Sequence, residues 1–215
     1  TIANRLPKLQ KEAKAKPAAR EQAGYLESLM RHLQSGTPLS ALPSVDHEAI
    51  ADLHLLTAKP VIYVFNVDEN GLSDSTSQEH LRSMVAPAKS LFASAKLEEE
   101  LKGLSESDTK ELLESYGVEE TGLMQLIHAA YDTLGLQSYL TAGPKEVRAW
   151  TIRQGWTAPQ AAGVIHTDFE RGFIAAQIID FDDLIAAGSE SAARAAGKVR
   201  TEGKTYVMQP GDVVE

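Results

Sequence analysis

Apolar residues recur every three or four positions at the start of the chain. They are Ile2, Leu6, Leu9 and Ala13 and then, after an interruption around Pro17, Leu26, Leu29, Met30 and Leu33. This spacing predicts two amphipathic helices joined as an antiparallel hairpin. Pro7 falls within the first, so that helix either starts near it or is kinked there. Ser35-Gly36-Thr37-Pro38 ends the second, and residues 44–56 read as a third helix with Ser44 or Asp46 near its cap. Residues 1–57 are thus expected to form a helical arm.

The pattern changes at Lys59-Pro60. Val61-Ile62-Tyr63-Val64-Phe65 is a continuous β-branched and aromatic run too short for a helix, and it predicts a buried strand of a parallel sheet. Ser90-Leu91-Phe92-Ala93 reads as a second strand, with a polar helical stretch at 78–85 between them. Ligands of such α/β units gather at the carboxyl ends of the strands. Helical periodicity resumes at 97–101, 108–116 and 122–134. From Gly143 onward the texture alternates again. Residues 146–152 and 172–179 are strand-like, 158–165 and 182–196 helix-like, and 206–208 and 213–214 short strands. The expected fold class is therefore α/β plus α+β, with boundaries at 1–57, 58–141 and 142–215.

Charge sharpens this division. The net charge is -9, yet residues 1–40 carry 7 Lys/Arg against 3 Asp/Glu, whereas residues 41–141 carry 6 against 17. A polyanion would meet the basic arm, because phosphate contacts need clustered cations rather than a favourable total; a solvated helix face gives the same pattern. The absence of Cys removes disulfides and thiolate chemistry, and the six His show no metal-ligand spacing. No apolar run approaches the roughly 20 residues needed to span a bilayer, and the N-terminus carries no signal pattern. The expected compartment is the cytoplasm, with no membrane partner and no reading of DNA sequence.

Two loops follow the two strands: Asn66-Val67-Asp68-Glu69 and Ser94-Ala95-Lys96. They resemble the N-K-x-D and S-A-K elements with which GTPases hold a base. An Asp at the fourth position accepts two hydrogen bonds from guanine, from N1–H and from the exocyclic amine. Here that position is Glu69, one methylene longer, and Val67 replaces the usual Lys. Both changes weaken guanine selection, which rests on correctly placed polar partners. The Asn66 amide matches the donor and acceptor of adenine N6 and N7, so the loop favours ATP over GTP. The same four residues also read as a simple Asn/Asp turn after a strand.

The stretch from Lys59 to Glu69 resembles the YchF/Obg-like ATPase family, in which N-x-x-E replaces N-K-x-D. Ser94-Ala95-Lys96-Leu97-Glu98-Glu99-Glu100-Leu101, Leu136-Gln137-Ser138-Tyr139-Leu140-Thr141-Ala142-Gly143 and Lys145-Glu146-Val147-Arg148-Ala149-Trp150 are similar to further segments of that family. Most specific are the run from Ala158 to Ile174 and the segment Ala196-Gly197-Lys198-Val199-Arg200 with Gly203-Lys204, which look like the family's TGS domain, a β-grasp module.

The resemblance implies a helical hairpin arm at 1–57, the C-terminal part of a G-domain-like P-loop NTPase sheet at 58–141, and a TGS domain at 142–215. It implies a ribosome-associated NTPase acting in translation regulation or stress response. ATP is the expected nucleotide and GTP a weaker one, with the ribosome and ribosomal RNA as partners. Asn66, Val67, Glu69, Ser94, Ala95 and Lys96 are the candidate base-binding residues. Lys8, Lys11 and Lys14 in the arm, with Lys198, Arg200 and Lys204 in the C-terminal module, are the candidate RNA contacts.

The G-x-x-x-x-G-K-[ST] loop, the switch segments and the Mg²⁺-binding carboxylate of such enzymes have no counterpart in this sequence. The chain accordingly reads as the C-terminal two-thirds or so of a family member, unable to hydrolyse nucleotide by itself, with Mg²⁺ expected only in the full-length protein. The alternative is a non-catalytic RNA- or protein-binding module with a vestigial nucleotide loop.

Three further features have plainer expectations. His166-Thr167-Asp168 is expected to cap or turn the chain rather than catalyse. Glu98-Glu99-Glu100 is expected to be a solvated face. Trp150 is expected in the core and Trp156 in a turn, where it is a candidate surface contact.

Overall fold

The computed structural model describes residues 1–143 and 146–214. Lys145, of the segment that runs to Trp150, and Glu215, at the end of the last expected domain, lie outside the described residues. The chain forms two compact units, Thr1–Ala129 and Ala130–Glu215.

The first unit opens with helices α1 (Ile2–Glu12) and α2 (Pro17–Gln34). Their apolar stripes meet: Ile2, Leu6, Leu9, Ala23, Leu26 and Leu29 are buried in one cluster with Leu39, Ile50 and Ala58. Pro7 lies inside α1 without ending it. A proline in a helix interior costs about 3 kcal/mol, and burying each of three large side chains from the same helix returns about 1.5–3 kcal/mol, so packing wins. Pro17 sits at the first turn of α2, where its missing N–H has no partner to lose. Gly36, at φ 86°, turns the chain out of that helix.

The third helix expected at 44–56 does not form. The segment instead makes short 3-10 turns at Ala51–Leu53 and Leu56–Ala58, separated by His54 in the left-handed region at φ 46°. Ile50 and its neighbours Val45, Leu53 and Leu55 all pack on the hairpin, and their spacing of five, three and two residues matches no single helical face. Asp46 accepts from Ala49 N–H at 3.0 Å and caps a turn, while its own N–H donates to the Tyr25 hydroxyl at 2.8 Å.

Strands β1 (Ile62–Asn66) and β2 (Lys89–Ala93) pair in parallel, with Asn66 opposite Ala93 at their carboxyl ends. Helices α3 (Glu69–Ser73) and α4 (Ser75–Val85) make the crossover. The expected burial of β1 is not observed: Tyr63 is 42% exposed and Val64 48%. Among the described residues the sheet has two strands. The covering layer lies on β2, where Leu91 and Phe92 are buried and Arg82 of α4 sits over the Phe92 ring. The ring of Phe65 stacks on that of Phe92 at 5.3 Å and ties the strands together. Helices α5 (Ala95–Glu100), α6 (Glu106–Ser115) and α7 (Gly122–Leu134) follow. Leu72, Leu97, Leu101 and Leu113 form the core beneath the loops.

The second unit is a mixed five-stranded sheet of order β4-β3-β7-β5-β6. Its strands are β3 (Leu136–Ala142), β4 (Val147–Arg153), β5 (Ala175–Asp180), β6 (Arg200–Gly203) and β7 (Asp212–Val214). Strand β7 is parallel to β3, and the other neighbours are antiparallel. Helices α8 (Ala158–Ile165), α9 (Thr167–Gly172), α10 (Phe181–Ala187) and α11 (Glu190–Ala195) complete it. Tyr139, Ile152, Ala158, Ala161, Ile178 and Met208 form its core.

The single helix expected over 182–196 is split by Gly188 at φ 75°, after which Ser189 caps α11. The strand expected from Gly172 starts later, at Ala175, because α9 runs through Gly172 and Phe173 caps it. Residues 206–208 make one bridge, Thr157 to Val207, instead of a strand. Trp150 lies half-buried in β4 as expected, with its indole N–H donating to Thr141 Oγ1 at 2.9 Å. Trp156 also packs against the core instead of standing free on the surface.

Candidate functional site

Both loops singled out in the sequence leave the same end of the parallel pair, and the structure joins them. Asn66 Oδ1 accepts from Ala95 N–H at 3.0 Å, and Val67 N–H donates to Ala93 C=O at 2.9 Å. Because Ala95 N–H is a donor, it fixes the amide oxygen of Asn66 toward itself and turns Nδ2, with its two donors, the other way. The oxygen keeps a second lone pair. One donor and one acceptor on an exposed amide form the pattern that reads the N6/N7 edge of adenine.

The remaining residues divide between display and support. Ser94 is buried, and its hydroxyl accepts from Leu97 N–H at 3.3 Å to cap α5, leaving Ala95 and Lys96 exposed at the helix start. Val67 packs against the Leu72–Leu97 core and is a support residue. Glu69 begins α3 and pairs with Lys96, Nζ to Oε1 at 2.5 Å, so the two loops meet at a second point. That carboxylate, by hydrogen bond and then by charge, raises the Lys96 pKa above its ordinary 10.5.

Three further supports hold the loops. Asp68 caps α3 by accepting from Gly71 N–H at 2.8 Å, and a Cβ on Gly71 would lie 2.8 Å from Val67 Cβ, so glycine lets the turn close. Gln78 Nε2 donates to the carbonyls of Gly71 and Leu72, at 2.9 Å each. Glu98 is not part of a solvated run: its Oε1 accepts from Gly122 N–H at 2.6 Å, pinning the start of α7 beside the second loop. A Cβ on Gly122 would lie 2.5 Å from Ala93 Cβ. The strand-then-Asn/Asp turn was a visible signal for Asp68; Glu98 gave none, since its partner is 24 residues away.

The candidate basic residues lie elsewhere. Lys8 and Lys11 are exposed on α1 and Lys14 in the turn after it. In the second unit Lys198 is held by Asp183 at 3.0 Å, and Arg200 reaches Asp212 at 3.4 Å and Glu202 at 3.8 Å, so these two cations are largely answered within the unit. Lys204 is exposed. His166 caps α9, with its Nδ1 accepting from Asp168 N–H at 3.2 Å. No cluster of three His, Cys, Asp or Glu placed to hold a metal ion occurs among the described residues, and no helix among them is long and apolar enough to cross a membrane.

Fold and loops together define a mixed α/β protein in which two polar loops converge at the carboxyl ends of parallel strands. Residues 136–215 match the family YchF-GTPase_C, described as a protein of unknown function (DUF933). The whole chain is similar to the ribosome-binding ATPase YchF of Bacillus subtilis (strain 168), 41% identical across 61% of that protein. To the protein of the same name from Escherichia coli O157:H7 it is 42% identical, across 60% of it. Obg-like ATPase 1 of Oryza sativa subsp. japonica is 38% identical over 87% of this chain and 49% of that protein. Among solved structures, the Schizosaccharomyces pombe YchF GTPase superposes with a TM-score of 0.83 at 34% identity, covering 100% of this chain and 60% of that one. This chain belongs to the YchF/Obg-like family and spans about half to 60% of the length of these relatives, their C-terminal part.

Proposed function

We propose that this chain carries the base-recognising side of the nucleotide site of a ribosome-associated, ATP-preferring NTPase. The observation that carries the reading is the Asn66–Ala95 bond, which joins the two loops and leaves the Asn66 amide with the donor and acceptor that adenine requires. Glu69 supports it from the other direction, since the carboxylate at the position that would select guanine is engaged by Lys96.

In this reading Asn66 orients the base, Ala95 and Lys96 border it, and Ser94, Val67, Asp68 and Glu98 hold the loops in place. Such preorganisation lowers the ordering cost of binding. The phosphates and Mg²⁺ would be held by a part of the relatives that this chain does not span; Mg²⁺ supplies charge neutralisation at the phosphates. The hairpin supports the helical-arm reading, and the mixed five-stranded sheet supports that of a TGS-type β-grasp module. Both would serve the ribosome, in translation regulation or stress response, with Lys8, Lys11 and Lys14 as the stronger RNA-facing set. The relatives named ribosome-binding ATPase support that partner. Calorimetric titration of the full-length protein with ATP and with GTP tests the nucleotide reading. Tighter ATP binding is expected, and a clear GTP preference would overturn it.

A further inference from the structure

Resting on the reading that these loops hold a purine base, we propose that Lys96 is a specificity-determining residue that disfavours guanine by occupying Glu69. Glu69 follows Asn66 at the position from which a carboxylate would accept guanine N1–H and the exocyclic amine. Accepting both requires its oxygens to be turned to the base. In the structure one of them, Oε1, takes the Lys96 ammonium at 2.5 Å. Guanine must open this pair or share Oε1 with the ammonium that orients it, leaving one donor poorly answered, and a poorly answered donor in a desolvated site is what discriminates most strongly between related ligands. Adenine lacks the N1–H and amine pair, so its binding leaves the ion pair intact. The pair therefore acts against one base and is neutral to the other.

The surroundings show why Glu69 is the preferred partner. Lys96 also approaches Glu100 Oε1, one helical turn on, but only to 3.8 Å. Glu69 is the less exposed of the two carboxylates, 29% against 44%, and it occupies the first position of α3, whose start is capped by Asp68. Lys96 itself is 70% exposed, so screening limits the effect. Exposed pairs of this kind correspond to a discrimination of about two- to fivefold. Lys96 thus adds to a preference set first by Asn66.

The test is the ratio of ATP to GTP affinity in the full-length protein, measured by calorimetry for the wild type, Lys96→Met, Lys96→Arg and Glu69→Gln/Lys96→Met. Methionine keeps the aliphatic stem and removes the charge at an exposed position. The expected result is GTP binding about two- to fivefold tighter relative to ATP in Lys96→Met, a wild-type ratio in Lys96→Arg, and loss of the gain when Glu69→Gln is added. Equal changes for both nucleotides, or an unchanged ratio, would overturn the proposal while leaving base recognition by Asn66 standing. Failure of the wild type to bind either nucleotide would remove both.

Discussion

Tyr139 occupies the centre of the C-terminal unit, buried in β3 with its hydroxyl donating to Ala161 C=O at 3.0 Å. Burial pushes its pKa from the ordinary 10.0 to about 12, and burial together with the Asp212 hydrogen bond does the same for Tyr206. Between those values an unfolded chain has released a proton that the folded one still holds, so stability is full below about pH 10 and declines as pH rises toward 12. Tyr139→Phe is expected to cost about 1 kcal/mol at neutral pH through the lost hydrogen bond. In urea unfolding followed from pH 8 to 12, its deficit should shrink and then reverse. A deficit independent of pH would show that the phenol does not titrate differently in the two states. The chemistry at this scale was partly legible: Asn66 and Ser94 announced themselves as polar residues after apolar strands. The Asp212 carboxylate, 1% exposed and answered by Tyr206, Gln209 N–H and Arg200, did not, because its partners are set by the turn between β6 and β7.

At the scale of elements, two glycines make opposite predictions for one chemical change. Gly24 lies on the exposed side of α2, with nothing within 4 Å of the point where an alanine methyl would stand, so Gly24→Ala should stabilise by about 0.5–1 kcal/mol through helix propensity. At Gly122 the same methyl would meet Ala93 Cβ at 2.5 Å and crowd the Glu98 carboxylate at 3.2 Å. Gly122→Ala should therefore destabilise by about 1–3 kcal/mol and loosen the second loop. Thermal unfolding of both variants checks the signs; a stable Gly122→Ala would mean that α7 does not approach β2 this closely. The hairpin helices were readable because their stripes persist over many turns. The missing third helix was not, since residues 44–58 contain enough apolar side chains to look periodic but deliver them singly to the hairpin. The exposure of β1 was equally hidden, because a strand's composition reports what it can bury and not which layers cover it.

For the whole molecule, the separation of charge sets the expectations. The net charge is -9, with the basic excess in the first forty residues. If the ribosome is met through phosphates, reversing Lys8, Lys11 and Lys14 to Glu should weaken co-sedimentation of the full-length protein at least tenfold and flatten its salt dependence. Reversing Lys198 and Arg200 should matter less, as both already face carboxylates. Equal loss from the two sets would reject the hairpin as the principal contact. The central claim concerns the nucleotide, and Asn66→Asp tests it most directly. Aspartate keeps an oxygen for Ala95 N–H and so preserves the join between the loops, but it removes the Nδ2 donor. Titrated with ATP by calorimetry, the full-length variant should bind about tenfold or more weakly than the wild type. ATP affinity equal to that of the wild type would contradict base recognition by Asn66.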